Sequence, residues 1–227
     1  IRILKEESAR KNFLGFHSYL SYQTIMTETT KTDQLREVRD AVVNLTTSPL
    51  YAYRKANNYF SVLGEGSHDA KVMFIGEAPG KNEAEKGRPF CGAAGKVLDK
   101  LLTSINLKRE DVYVTNIVKD RPPENRDPLP EEIEAYGPFL DRQIEIIQPK
   151  VLATLGRFSM AYILNRFNLS ALLEPIGKAH GKIYTATTSY GEVTIIPVYH
   201  PATALYNNSM FPALEADFKV IEQVLAS

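Results

Sequence analysis

KVMFIGEAPGKNEAEKGRPFC, residues 71–91, is the stretch on which the reading of this chain turns. Residues 71–75 form a short, almost wholly apolar run of strand length, and Gly76-Glu77-Ala78-Pro79-Gly80 stops it abruptly. A strand that ends in such a turn leaves backbone N–H groups unpaired at its carboxyl end, the edge along which open α/β sheets bind ligands. Gly76 and Gly80 carry no Cβ, so a ligand can approach the main chain closely. On the residues alone this is either a ligand pocket of unspecified kind or an ordinary tight strand-to-helix loop. GEAPG by itself does not decide between them.

Outward from this stretch the chain alternates. Residues 95–105 read as a helix with Val97, Leu98, Leu101 and Leu102 inward, and 111–118 as a strand. A basic, Pro-rich loop follows over 119–130, then a helix over 131–148 with Ile133, Leu140, Ile144 and Ile147 inward. Residues 151–155 read as a strand and 159–167 as a helix. Residues 182–187 and 193–199 read as a hairpin closed near Tyr190-Gly191, and a last helix starts near Pro212. Upstream, Asp33 caps an expected helix carrying Leu35, Val38, Val42 and Leu45, and 46–69 reads as loop with a turn at Gly64-Glu65-Gly66. The expectation is a single α/β domain over 33–227: a central, mostly parallel four-stranded sheet with helices on both faces. Residues 1–32 form an N-terminal extension, expected to be helical, with a polar linker over 26–33.

Bulk properties narrow the function. With 227 residues, 44% of them hydrophobic, the chain can bury a full core. No apolar run is long enough to span a bilayer, and the opening IRILKEESARK lacks a secretory apolar segment. The single cysteine, Cys91, excludes an intrachain disulfide and any cluster held by several thiolates, and fits a reducing, cytoplasmic location. Lys plus Arg and Asp plus Glu both number 27, so any nucleic-acid contact must come from a local patch.

Three polar residues sit at expected strand ends: Glu77, Asn116 and His200. Strand ends of one sheet converge, so these share a pocket in the expected fold. Glu83 lies in the charged loop after Gly80, and Phe90 is a large aromatic set among Gly87, Arg88, Pro89 and Gly92. Singly, each has a plain explanation: a strand Asn satisfying backbone, a structural His before Pro, a solvated Glu, a core Phe. Together they make a site for a planar polar ligand. Arg88, Lys119, Arg121 and Arg126 fall on the same edge of the sheet, where surface solvation competes with a phosphate-binding rim. Gly95-Lys96 imitates the tail of a phosphate loop, but no glycine stands five residues earlier and Val97 replaces the required Ser or Thr. Cys91 has no base paired with it in sequence and reads as a small loop residue.

In order, GEAPG, GRPFCGAAGKVLDKLL, YVTNIVKDRPPENRDPLPEEIEAYGPFLDRQIEIIQPKVLATLG and PVYHPATAL resemble the family 4 uracil-DNA glycosylases, collinearly from about residue 45 to the end. The resemblance implies a monofunctional glycosylase of base excision repair that extrudes uracil from DNA and hydrolyses its N-glycosidic bond, leaving an abasic site. By position, Asn116 reads the uracil edge and Phe90 stacks on the base. Gly76, Glu77, Ala78 and Gly80 line the pocket. His200 steadies the departing anion, Glu83 holds the attacking water, and Leu205 wedges into the emptied stack. Arg88, Lys119, Arg121 and Arg126 contact the backbone.

Members of that family usually hold a [4Fe–4S] cluster on four cysteines. The matching positions here are Leu45, Ser48, Asp120 and Tyr136, none a thiol. No cluster or other metal is therefore expected, with Leu45 and Tyr136 filling the space. The family's arginine beside the leucine wedge is replaced by Tyr206 or Asn207. The expected partner is uracil-containing DNA, single- or double-stranded, bound by a monomer working at the nucleoid. Two alternatives stay open: a DNA-binding relative with weak or no turnover, and a glycosylase for another deaminated base such as hypoxanthine or xanthine.

Overall fold

The apolar run at 72–76 is the second of six strands among the described residues: β1 (Glu65–Gly66), β2 (Val72–Gly76), β3 (Tyr113–Asn116), β4 (Val151–Leu155), β5 (Tyr184–Thr188) and β6 (Gly191–Val198). The structure, a computed structural model, describes residues 29–227. Residues Lys31–Ser227 form one compact unit, which carries all six strands. The expected helical extension lies, up to residue 28, outside the described residues.

The strands form one sheet in the order β1-β3-β2-β4-β6-β5. The inner four are parallel, and β1 and β5 are antiparallel edges. The expected four-stranded sheet is thus the parallel centre of a six-stranded one. The β5–β6 hairpin supplies one edge. The other edge, β1, falls on the expected turn at Gly64-Glu65-Gly66, because a two-residue strand has no periodicity of its own and exists only through its pairing with β3.

Among the described residues the α-helices are α1 (Lys31–Val43), α2 (Tyr51–Ala56), α3 (Lys81–Lys86), α4 (Ala93–Ser104), α5 (Pro130–Ile147), α6 (Arg157–Arg166), α7 (Ile176–Ala179), α8 (Thr203–Tyr206) and α9 (Phe211–Ala226). Two corrections belong to short helices. Residues 46–69 are not all loop but contain α2, and Glu83 sits on α3 rather than in a loop. Six-residue helices leave too little sequence for a 3.6-residue period to register. Residues 31–33, expected to be linker, open α1.

Successive strand residues point to opposite faces, and the sheet uses both. Met73 and Ile75 of β2, Leu152 of β4 and Ile195 of β6 join one core, covered by α1, α5 and α6. Val72 and Phe74, Ala153 and Leu155, and Ile196 and Val198 join the other, under α4 and α9. Phe74 stacks on Phe218 with ring centroids 5.4 Å apart. Truncating such a buried ring costs about 3–5 kcal/mol. No described helix is long and apolar enough to cross a membrane.

β3 lies on one side of β2 and β4 on the other, so the chain reverses direction across the sheet beside β2. At such a reversal, loops leave for opposite faces and open a crevice at the carboxyl edge.

Candidate active site

A cleft of about 350 Å³ opens at that edge, lined by Glu77, Ala78, Pro79, Gly80, Glu83, Phe90, Asn116, Arg126, His200 and Leu205, among others. Residues far apart in the chain meet here because of strand register. Gly76 pairs directly with Asn116 across β2 and β3, and β6 delivers His200 two residues after its end. The missing side chain of Gly76 is what makes the floor. A Cβ there would lie 2.3 Å from Asn116 Oδ1 and 2.7 Å from Phe90 Cζ.

Asn116 is 2% exposed, and its main-chain carbonyl accepts a 2.6 Å hydrogen bond from Lys119 Nζ. Its side-chain amide has no hydrogen-bond partner among the described residues and faces the cleft. An enclosed amide with an idle donor and an idle acceptor matches a ligand edge that offers the converse pair. Phe90 stands in the left-handed region at φ 48°, uncommon for a bulky residue. Two features hold it there. Glu83 Oε1 accepts hydrogen bonds from the main-chain N–H groups of Cys91 (3.0 Å) and Gly92 (2.8 Å). Gly95 lies directly beneath, where a Cβ would come within 1.7 Å of the Phe90 carbonyl oxygen. Glu83 Oε2 has no hydrogen-bond partner among the described residues and faces Gly80, whose added Cβ would meet it at 2.8 Å.

His200 lies across from Phe90, ring centroids 5.7 Å apart. Most of the ring is enclosed by protein, and burial pulls its pKa down to about 4, so the imidazole is neutral at pH 7. Its Nδ1 accepts from Ala202 N–H at 3.2 Å, which leaves the proton on Nε2. The site therefore holds a neutral imidazole donor. The backbone just before it is fixed by Asp217, which is 2% exposed and accepts from Tyr199 N–H and pairs with His180. Glu77 behaves oppositely. Burial, helped by the charge of Asp127 and opposed by Arg157, raises its pKa to about 7.

The expected basic rim is only partly at the surface. Lys119 is fully buried, its Nζ within 2.6–2.9 Å of Thr115 Oγ1, Asn116 O and Gln143 Oε1. It cannot reach a phosphate and instead steadies the strand end that carries Asn116. Arg121 is 9% exposed, bound to Asn125 and Tyr59 and stacked on the Tyr59 ring, so it too is withdrawn from the rim. Arg126 lines the cleft with both nitrogens on Glu132, the buried acid that also accepts from Leu129 N–H. Arg88 is exposed, pairs with Glu65, and lies in a neighbouring depression beyond Phe90. Leu205 is 48% exposed at the cleft mouth. Asn125 and Tyr206 also line the cleft: Asn125 carries no signal in the sequence beyond its place beside Arg126, whereas Tyr206 is one of the two residues expected in place of the family's arginine.

The four positions matching the family's cluster ligands do converge, but not as a donor set for iron. Ser48 Oγ and Tyr136 OH lie 2.6 Å apart, and Tyr136 OH donates to Asp120 Oδ2 at 2.6 Å. Arg54 pairs with Asp120, and Leu45 packs beside Tyr136 with Val42, Leu50 and Val118. Burial raises the pKa of both Tyr136 and Asp120, which keeps the phenol protonated as donor. A filled, hydrogen-bonded space without thiolates does not fit a cubane. Among the described residues no group of three or more His, Cys, Asp or Glu is placed to hold a metal.

The family described as the uracil DNA glycosylase superfamily matches residues 63–226. A type-4 uracil-DNA glycosylase of Saccharolobus solfataricus is 45% identical over 196 residues, 86% of this chain and 88% of that protein. One from Archaeoglobus fulgidus is 46% identical over 172 residues, 76% and 84% of the two chains. One from Thermotoga maritima is 39% identical over 180 residues, 79% and 88%.

Proposed function

The chain belongs to the uracil DNA glycosylase superfamily, and on that premise we propose that it extrudes uracil from DNA and hydrolyses its N-glycosidic bond, leaving an abasic site. The observation that carries this reading is the meeting of Asn116, Phe90, Glu83 and His200 on one cleft. The target bond is inaccessible inside a duplex, so the nucleotide must swing out, at a cost of a few kcal/mol. Asn116 complements the extruded base: Oδ1 accepts from N3–H and Nδ2 donates to O4. Phe90 offers its ring face to the base.

Bond cleavage then builds negative charge on uracil and positive charge on the sugar. The neutral His200, with its Nε2 proton, donates to the developing anion without needing to be charged first. A donor of this kind contributes about 3 kcal/mol to the transition state. Glu83, through Oε2, orients water and offsets the sugar's positive charge. Arg126 and Arg88 contact phosphates, each after sharing or exchanging its carboxylate partner, and Leu205 fills the emptied position. Lys119 and Arg121 have no such role. We read the protein as a monomer acting in the cytoplasm at the nucleoid, on single- or double-stranded DNA, without an iron–sulfur cluster.

The test is direct. A uracil-containing oligonucleotide, incubated with the protein and then treated with alkali, is cut at the uracil. Asn116→Ala abolishes most of that cutting while a gel shift on uracil-free DNA is unchanged. Uncut strand from the wild-type protein, with a normal gel shift, would reduce it to a binding relative. Release of hypoxanthine or xanthine in preference to uracil would change the assigned base.

A further inference from the structure

Tyr206 is the most exposed large apolar side chain among the described residues, at 91%. It ends α8, directly after Leu205, and both line the mouth of the cleft. It has no hydrogen bond and no ring contact among the described residues. Its neighbour Asn207 is not equivalent, because Asn207 Oδ1 is already committed to Ser209 N–H (3.1 Å) and Ser209 Oγ (2.7 Å). Of the two residues that follow Leu205, Tyr206 lines the cleft and Asn207 does not. A phenol ring held wholly in water gains nothing in the free protein, so its energetic value is realised only when something covers it.

Resting on the reading that the cleft takes an extruded uracil, we propose that Tyr206 stacks on the nucleobase next to that uracil in the same strand. The occupant follows from connectivity. A base whose sugar sits at the cleft mouth is covalently tied to its neighbour, so a ring on the same rim meets that neighbour's face. This separates Tyr206 from Leu205. A plug in an emptied duplex position matters only where a stack existed, whereas a platform for the adjacent base serves single strands and duplexes alike. Stacking on an aromatic side chain tolerates any base, because every base has a π-face.

The test uses the full chain and two oligonucleotides, one single-stranded and one duplex, each carrying a tetrahydrofuran abasic site. Tyr206→Ala is expected to weaken binding of both by roughly fivefold to a hundredfold, with an unchanged melting temperature, since so exposed a ring supports no core. Tyr206→Phe is expected to bind like wild type, because the ring face carries the effect. The chain contains no tryptophan, so Tyr206→Trp provides a single indole reporter whose emission is expected to be quenched on saturation with either DNA. Wild-type affinity in Tyr206→Ala, a loss confined to the duplex, or an unquenched indole overturns the proposal. Excision of uracil by the wild-type protein is scored separately on a uracil oligonucleotide. Its failure would sink the glycosylase reading, while the quench would still report whether the ring meets a base.

Discussion

Gly76→Ala adds one methyl group where the proposed clamp of Asn116 and Phe90 is tightest. The new Cβ would sit 2.3 Å from Asn116 Oδ1 and 2.7 and 2.9 Å from two atoms of the Phe90 ring, where ordinary contact begins near 3.4 Å. Something must therefore move by about an ångström. The Asn116 main chain is pinned by its pairing with Gly76 and by Lys119, and the Phe90 backbone by Glu83 and Gly95. The two side chains are left to swing into the cleft. A misplacement of about 1 Å costs on the order of a hundredfold in rate, and overpacking costs about 1–3 kcal/mol of stability. Single-turnover excision and a thermal melt read the two effects separately. Gly177→Ala is the matched control, because its Cβ would meet only Tyr199 OH at an ordinary 3.5 Å. If Gly76→Ala folds and excises uracil at the wild-type rate, Asn116 and Phe90 do not form the clamp and the reasoning fails.

Further outcomes follow from the buried charges and the filled cluster space. Glu77 keeps its proton up to about pH 7 in the native state but releases it near 4.5 when unfolded, so the native state binds more protons in that window. Wild-type stability should then rise relative to Glu77→Gln as pH falls from 7.5 to 5, measured by denaturant titration; a flat difference would remove the shift. Lys119 has the opposite sign: burial lowers its native pKa, so wild type should gain on Lys119→Met as pH rises toward the unfolded lysine pKa. A falling difference would mean the buried amine stays charged. Iron chelation should leave the melting temperature unchanged, and anaerobically purified protein should lack iron–sulfur absorbance; stoichiometric iron would contradict the filled Ser48–Tyr136–Asp120 space.

Much of the architecture was legible because the pattern is strong where burial is two-sided. The runs at 71–75 and 151–155 read as buried strands, and the long helices α4 and α5 carry clear apolar periods. The meeting of the candidate residues was legible because strand ends converge: Glu77, Asn116 and His200 needed only the sheet to be brought together. What the sequence hid was the direction of side chains. Lys119 and Arg121 sit in a stretch as basic and Pro-rich as any solvated loop, yet one enters the core and the other stacks on Tyr59. Two of their partners, Gln143 and Tyr59, are distant in sequence. The edge strand β1 was invisible because only its pairing with β3 makes it a strand, and helix α2 because six residues are too few to show a helical period.

Glu83 commits one oxygen to the scaffold and leaves the other open toward Gly80, which changes how its variants must be interpreted. Glu83→Ala would release the turn at Cys91 and Gly92 along with any acid–base function, so lost activity would report an unmoored aromatic as much as a missing carboxylate. Glu83→Gln separates the two jobs. Its carbonyl can still accept from both main-chain amides, leaving an uncharged NH₂ where the water-facing oxygen stood. A Gln variant that keeps uracil affinity but loses turnover would assign the chemistry to that one oxygen, while one that loses both would make the residue a hinge pin for Phe90 before anything else.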